Sequence, residues 1–219
     1  LKSFTGYFPL PVRHGMTMGE LARMFNAENR IGARLTVIPM RGYERGMWFD
    51  ETGLAWVNPS PNLRSLTQAV LYPGVALCEA SNVSVGRGTD TPFELLGAPW
   101  IDAERLAAYL RDRSIAGVDF EAARFTPSAA NFTGEECRGA RIEQPDRNAL
   151  KPVAMGIELL FPHNRLYPRV FRLDPALHLV GSRAVLQAIA DGLAPESIVA
   201  SWQPQLDDFR RRSTPYLLY

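Results

Sequence analysis

At 219 residues and 46% hydrophobic, the chain has the composition of a folded protein with a substantial core rather than of a disordered one. Lys and Arg total 24 against 23 Asp and Glu, a balance that offers no broad cationic footprint, so neither nucleic acid nor an anionic membrane is expected as a partner. No apolar run of about 18 residues is present, so no transmembrane helix is encoded.

The chain begins at Leu1 with neither an initiator Met nor a charged-then-apolar leader, so any signal peptide is expected to have been removed or to lie upstream. Cys78 and Cys137 fit either one disulfide or two buried thiols; a core of this size needs no staple, which favours thiols. His14, His163 and His178 are scattered, with no HExxH, CxxC or HxH spacing, so no metal and no cofactor is expected.

In chain order, TMGELARMFNAEN offers Thr17 as N-cap and Glu20 three residues later, and spaces Leu21, Met24 and Phe25 helically, predicting a helix over Met18 to Asn29. RLTVIPM is β-branched and closes on Pro39, predicting a strand over Leu35 to Pro39. Residues 42–62, with Trp48, Trp56 and several Gly, Pro and Asn, predict a long shaped loop. A short helix over Ser65 to Leu71 then feeds a buried strand from Val75 to Glu79. Asp102 caps a helix that ends near Arg113, and strands are expected over Val118 to Thr126 and Arg138 to Glu143. PVAMGIELLFPHNRL predicts a helix closing before Pro162, followed by helices over 183–191, 195–202 and 204–212. The fold class is α/β, with a mixed α+β arrangement also compatible: a sheet flanked by helices with a helical C-terminal region. No linker divides the chain, so 1–219 is read as one domain with a helical subregion over 180–219.

The densest polar cluster is Glu79, Ser81, Asn82, Ser84, Arg87, Thr89, Asp90 and Glu94, after the predicted buried strand. The crevice beyond strand C-termini in open α/β sheets collects ligands, and Gly86 and Gly88 allow the backbone to bend around a bound group. The alternative is a tight polar turn in which Arg87 pairs with Asp90 or Glu94. VGRGT fails as a phosphate cradle, lacking both GxxxxGK and GxGxxG. Arg13 and His14 precede a predicted helix N-terminus, where cations and amides suit a carboxylate or acetamido oxygen; the alternative is a surface ion pair for Arg13 and a turn cap for His14, the commoner role of an isolated histidine. Trp56, Asn58, Ser60 and Asn62 in WVNPSPN pair an aromatic face with amide donors, as a sugar ring requires and as core and turn residues also do. Glycoside hydrolysis commonly uses two carboxyl groups about 5 to 9.5 Å apart. Glu79 is the single best candidate, because a carboxylate ending a buried strand is desolvated.

Taken together and in order, SFTGYFPLPVRHGMTMGELARMFN, MWFDETGLAWVNPSPN, YPGVALCEASNVSVGRGTDTPFELLGAPW, FTPSAANFTGEECRG and the terminal YLLY resemble the NamZ/YbbC-type exo-β-N-acetylmuramidase family, glycoside hydrolase family 171. Each motif is weak alone, but five in register cover about Ser3 to Tyr219. The resemblance is to the C-terminal part of the family, and it implies that a Rossmann-like N-terminal half with a GPEHG segment, carrying part of the acid–base machinery, is absent from this sequence. It implies hydrolysis of terminal β-linked N-acetylmuramic acid from non-reducing ends, in a periplasmic or secreted setting, on a peptidoglycan-derived muropeptide or disaccharide. A non-catalytic muropeptide-binding module is the alternative. Where the family reads EGTN this chain has Glu79, Ala80, Ser81 and Asn82, so Ala80 replaces a Gly. By the resemblance Glu79 is the catalytic candidate, and Arg13, His14, Asn58, Ser60, Asn62, Asn82, Arg87, Thr89 and Glu94 are substrate-binding candidates. Arg87 or Arg13 is the expected cation for the lactyl carboxylate.

Overall fold

The computed structural model describes residues 6–219; Ser3 to Thr5, at the start of the first resembling segment, lie outside the described residues. Where the sequence predicts one domain, the chain forms two compact units. Val57–Ser201 make the larger, and residues 6–56 make the smaller together with Trp202–Tyr219.

The larger unit starts with α2, Leu66–Val75, whose N-cap Ser65 accepts from the Gln68 N–H at 3.2 Å. The chain stays helical through a 3-10 turn at Ala76–Cys78. The strand predicted over Val75 to Glu79 is therefore helical instead. Val75, Ala76, Leu77 and Cys78 are all buried, and a short run buried on every side carries no period that separates helix from strand. α4, Pro152–Leu166, packs along α2 at backbone contact distance: a Cβ on Gly156 would lie 2.6 Å from the Gly74 carbonyl oxygen, so both glycines are needed for the approach. α4 runs through Pro162 rather than closing before it. Leu159, Leu160, Phe161 and His163 are buried around that position, and their packing outweighs the missing N–H.

Three strands, β1 (Leu95–Ala98), β2 (Asp119–Phe125) and β3 (Cys137–Glu143), form a sheet in the order β1-β3-β2, antiparallel throughout. Ala140 on the central strand faces Leu96 on one side and Ala122 on the other. Lying against β2 and β3 is α3, Ala103–Asp112, which buries Leu106, Ala107 and Leu110 and is capped by the Asp102 carboxylate accepting from Arg105 N at 3.1 Å. β1 was not foreseen: LLGA is short, apolar and buried, with no alternation to mark it. The fold is a mixed α/β arrangement, a sheet flanked by helices with a helical C-terminal region. Because the sheet is antiparallel and Glu79 follows a helix, the described residues form no parallel-sheet crevice of the kind expected beside the polar loop.

α5 (Leu177–Val180), α6 (Arg183–Ala190) and α7 (Pro195–Ser201) complete this unit. Arg113 fastens α3 to α4 by two bonds to Glu158, at 2.9 and 3.0 Å, and also pairs with Glu196 on α7. Cys78 and Cys137 are buried free thiols. Burial pushes the Cys78 thiol well up, and burial together with Glu135 pushes Cys137 up to about 11.

The smaller unit joins α1, Met18–Glu28, and α8, Gln203–Ser213, around Met16, Leu21, Met24 and Phe209. The capping box read from the sequence forms between Thr17 and Glu20. Glu20 does more than cap: its fully buried carboxylate also receives Arg45 at 2.5 Å and the Leu218 N–H at 2.6 Å, so one side chain ties a helix start, a loop and the C-terminal segment. The strand predicted over Leu35 to Pro39 is absent. Its residues join no ladder, and Ile38 is 87% exposed. β-branched composition favours a pleated surface but supplies no partner to pair with.

Candidate functional site

The Glu79–Glu94 segment is held by its own backbone and by the loop over 126–136. Glu79 sits at the end of the 3-10 turn and donates its N–H to Ala76 O at 3.0 Å. Its half-buried carboxylate receives the Arg87 guanidinium on both oxygens, through Nε to Oε1 and through Nη2 to Oε2 at 3.0 Å. Arg87 thus pairs with Glu79 and not, as the tight-turn alternative had it, with Asp90 or Glu94. The guanidinium also lies 5.1 Å from the centroid of the Phe93 ring, which packs edge-on against Tyr72 at 4.8 Å. Phe93 is fully buried at φ 67, a conformation that costs a bulky residue about 1–3 kcal/mol and persists only where packing imposes it. Its N–H bonds Val85 O at 2.8 Å. A flat two-point cation on an aromatic platform is the most organised polar feature of the loop.

Gly88, at φ 78, admits no side chain: an added Cβ would run into Ala129 N and lie 2.7 Å from Ser128 N. The Gly88 carbonyl accepts from Ser128 N at 3.0 Å and from its hydroxyl at 2.7 Å. The glycine bend foreseen around a bound group is thus a bend around a neighbouring loop. Asn131 extends the same dock, donating through Nδ2 to Ser81 O at 3.0 Å and Val83 O at 2.8 Å, from between two residues of positive φ, Ala130 and Phe132.

The other candidates are placed as follows. Asn82 uses both ends of its amide on the backbone, Nδ2 to Val170 O at 2.8 Å and Oδ1 from Arg172 N at 2.7 Å. Thr89 donates to Gly86 O at 2.7 Å. Glu94 accepts at 3.0 Å from Gln68, a buried amide whose oxygen takes the Arg64 N–H at 2.7 Å. Asn58 is exposed, and Ser60 accepts weakly from Asn62 N at 3.4 Å. Arg13 and His14 belong to the smaller unit. Arg13 lies 5.9 Å from the Trp48 ring centroid, and His14 Nδ1 accepts from Met16 N at 3.1 Å, with burial holding its pKa below the ordinary histidine value. The structure therefore brings Glu79 and Arg87 together directly. Phe93, Gln68, Ser128 and Asn131 were not singled out from the sequence; only the FTPSAAN and TPFE motifs pointed at their neighbourhoods.

Among the described residues no group of three His, Cys, Asp or Glu side chains is placed to hold a metal ion, and no helix is long and apolar enough to cross a membrane. A cavity in the smaller unit is lined by Tyr7, Phe8, Leu10, Val12, His14 and Phe25. A second, in the larger unit, lies between the start of α3 and the ends of β2 and β3. Neither is lined by Glu79 or Arg87.

Residues 70–219 match the family model described as exo-beta-N-acetylmuramidase NamZ, C-terminal, and residues 1–67 match its N-terminal counterpart. A peptidoglycan beta-N-acetylmuramidase NamZ of Bacillus subtilis (strain 168) is 38% identical over 220 residues, covering 99% of this chain and 53% of that protein, so the chain spans about half the length of this relative. Two crystal structures of DUF1343 family proteins from Bacteroides fragilis NCTC 9343 share the fold. One has TM-score 0.87 and 30% identity, covering 99% of this chain and 59% of that one. The other has TM-score 0.79 and 28% identity, covering 100% and 59% respectively.

Proposed function

Since this chain belongs to the exo-β-N-acetylmuramidase NamZ family, we propose that it is part of a peptidoglycan glycosidase that removes terminal β-linked N-acetylmuramic acid from non-reducing ends. The observation that carries the proposal within the structure is the Glu79–Arg87 pair on its Phe93 platform. In this proposal Glu79 is the acid–base or nucleophilic carboxylate. Arg87 is the cation that receives the lactyl carboxylate, a feature of muramic acid that N-acetylglucosamine lacks. Both roles converge on one contact: a ligand carboxylate taken by the guanidinium displaces Glu79, which then turns to the glycosidic oxygen or anomeric carbon. In this proposal Asn58, Ser60, Asn62, Thr89 and Glu94 supply further polar contacts, and Asn82 fixes the loop's backbone. Arg13 and His14 are further substrate-binding candidates within the smaller unit. The remainder of the N-terminal domain supplies a second carboxyl group, and the protein works in a periplasmic or secreted setting.

Turnover of a chromogenic N-acetylmuramide by this chain, and by a longer protein carrying the rest of that domain, tests the proposal. Glu79→Gln is expected to lower kcat by orders of magnitude with folding intact, and near-normal turnover would reduce Glu79 to a structural role. A second reading, a module that binds muropeptides without cleaving them, is favoured by the partner of Glu79 being a guanidinium rather than a second carboxyl group. Binding without turnover in both lengths of chain would select it.

A further inference from the structure

We propose that the cavity at the end of the sheet in the larger unit is a second carboxylate-binding subsite for a muropeptide; the ligand's identity rests on the glycosidase reading, while the charge chemistry stands on the cavity itself. The cavity measures about 570 Å³, within the range of ligand pockets. Arg124 and Arg138 line it from β2 and β3, Trp100 from the turn after β1, and Asp102 and Glu104 from the start of α3.

The two arginines occupy directly opposed positions in the β2–β3 register. Like charges so placed destabilise a strand pair unless something neutralises them. Little within the chain does. Arg124 has Glu136 at 3.7 Å, with the two side chains 71% and 59% exposed, an ion pair of small worth. Arg138 donates to the neutral carbonyl of Pro99 at 2.9 Å and forms no ion pair among the described residues. A bound carboxylate answers both, since two neighbouring guanidinium forks match its two oxygens.

The aromatic wall beside them is already in place. Trp100 packs edge-on against Tyr167 at 5.4 Å and contacts Phe171 at 6.5 Å. The Tyr167 hydroxyl is fixed by the Asp102 N–H and carbonyl, each at 3.2 Å. A half-buried indole next to paired cations suits a ligand whose carboxylate is attached to a sugar ring or a short peptide. Because the Asp102 carboxylate is used in capping α3, the acid left to meet a ligand amide or hydroxyl is Glu104. None of this involves Glu79 or Arg87, so the cavity is distinct from the pair described above.

Binding to the whole chain, followed by titration calorimetry and by the Trp100 indole N–H resonance, tests the subsite. N-Acetylmuramic acid carries only the lactyl carboxylate. In N-acetylmuramyl-L-alanyl-D-isoglutamine that group is an amide and the free carboxylate is on the peptide. The free dipeptide isolates the peptide source, and N-acetylglucosamine has no carboxylate. At least one carboxylated probe is expected to bind and shift the Trp100 resonance, and Arg124→Gln with Arg138→Gln is expected to weaken it about tenfold or more. Which probe responds identifies the carboxylate's source. Equal affinity in wild type and the double variant, or no response of Trp100 to any carboxylated probe, would overturn the subsite. Should the double variant not fold, Arg138→Lys, which keeps the charge and loses the fork, is expected to weaken binding by a smaller factor, and unchanged affinity there would equally count against the proposal. Loss of turnover in Glu79→Gln with these binding results unchanged separates the fate of the glycosidase reading from that of the subsite.

Discussion

Replacing Glu20 by Gln isolates the charge at the centre of the smaller unit. The carboxylate is fully buried, and burial alone would raise its pKa. The hydrogen bonds from Arg45, Thr17 N–H and Leu218 N–H, together with the Arg45 charge, reverse this and hold it at about 2 against an ordinary 4.5. Each pH unit of that displacement corresponds to about 1.4 kcal/mol, so ionised Glu20 contributes on the order of 3 kcal/mol at neutral pH. The folded-state value is depressed, so the contribution is complete above pH 4.5 and is lost as the pH falls towards 2. Urea titrations from pH 7 to pH 2.5, followed by hydrogen exchange at the α1 amides, should show Glu20→Gln less stable than wild type by about 3 kcal/mol at pH 7, with the gap closing through that window. A gap that stays constant down to pH 2.5 would mean that Glu20 acts through shape and packing, and the electrostatic account would be wrong.

His163 sets a separate window in the larger unit. Burial, only partly offset by its bond to Leu159 O at 2.6 Å, holds it at about 4 rather than 6.5, so it is neutral when folded and its Nε2 lacks a partner among the described residues. Stability of this unit should fall as the pH drops from 6.5 to 4, by on the order of 3 kcal/mol, and His163→Leu should flatten that fall in a pH-dependent melt. Gly88→Ala forces a side chain into the Ser128–Ala129 backbone at positive φ; a loss of about 2–4 kcal/mol in urea unfolding is expected, with weaker protection of the Ser128 amide. Both cysteines should resist an aromatic disulfide reagent in the native protein and react fully in denaturant; rapid native labelling would contradict their burial.

Local chemistry carried most of what the sequence revealed. Thr17 with Glu20, and Asp102 ahead of Leu106 and Leu110, mark helix starts by short-range bonds that need no knowledge of the rest of the fold. β2 and β3, read from the sequence to within a residue, each turn some of their residues outward. The strand expected over Val75 to Glu79 failed for the opposite reason: Val75 to Cys78 are buried all round and show no exposed face to betray their period. Glu79 and Arg87 were both named from the polar cluster, yet their pairing depends on a left-handed Phe93 and a loop some forty residues further on that supports the turn. No local pattern encodes that. The Arg124–Arg138 opposition likewise exists only once the strand register is known.

The smaller unit is built from both ends of the described chain, with Phe209 of α8 packed among Met16, Leu21 and Met24 of the first helix region. On the ribosome this reverses the usual order of domain completion. The α1 region has no core to enter until α8 has been made, while Val57–Ser201 form a continuous stretch that can close beforehand. The seam between the two family matches, at residues 67 and 70, does not follow this division. A protein trimmed to residues 70–219 would carry α8 without the helix that buries Phe209, and a stop codon ahead of α8 would uncover Met16, Leu21 and Met24.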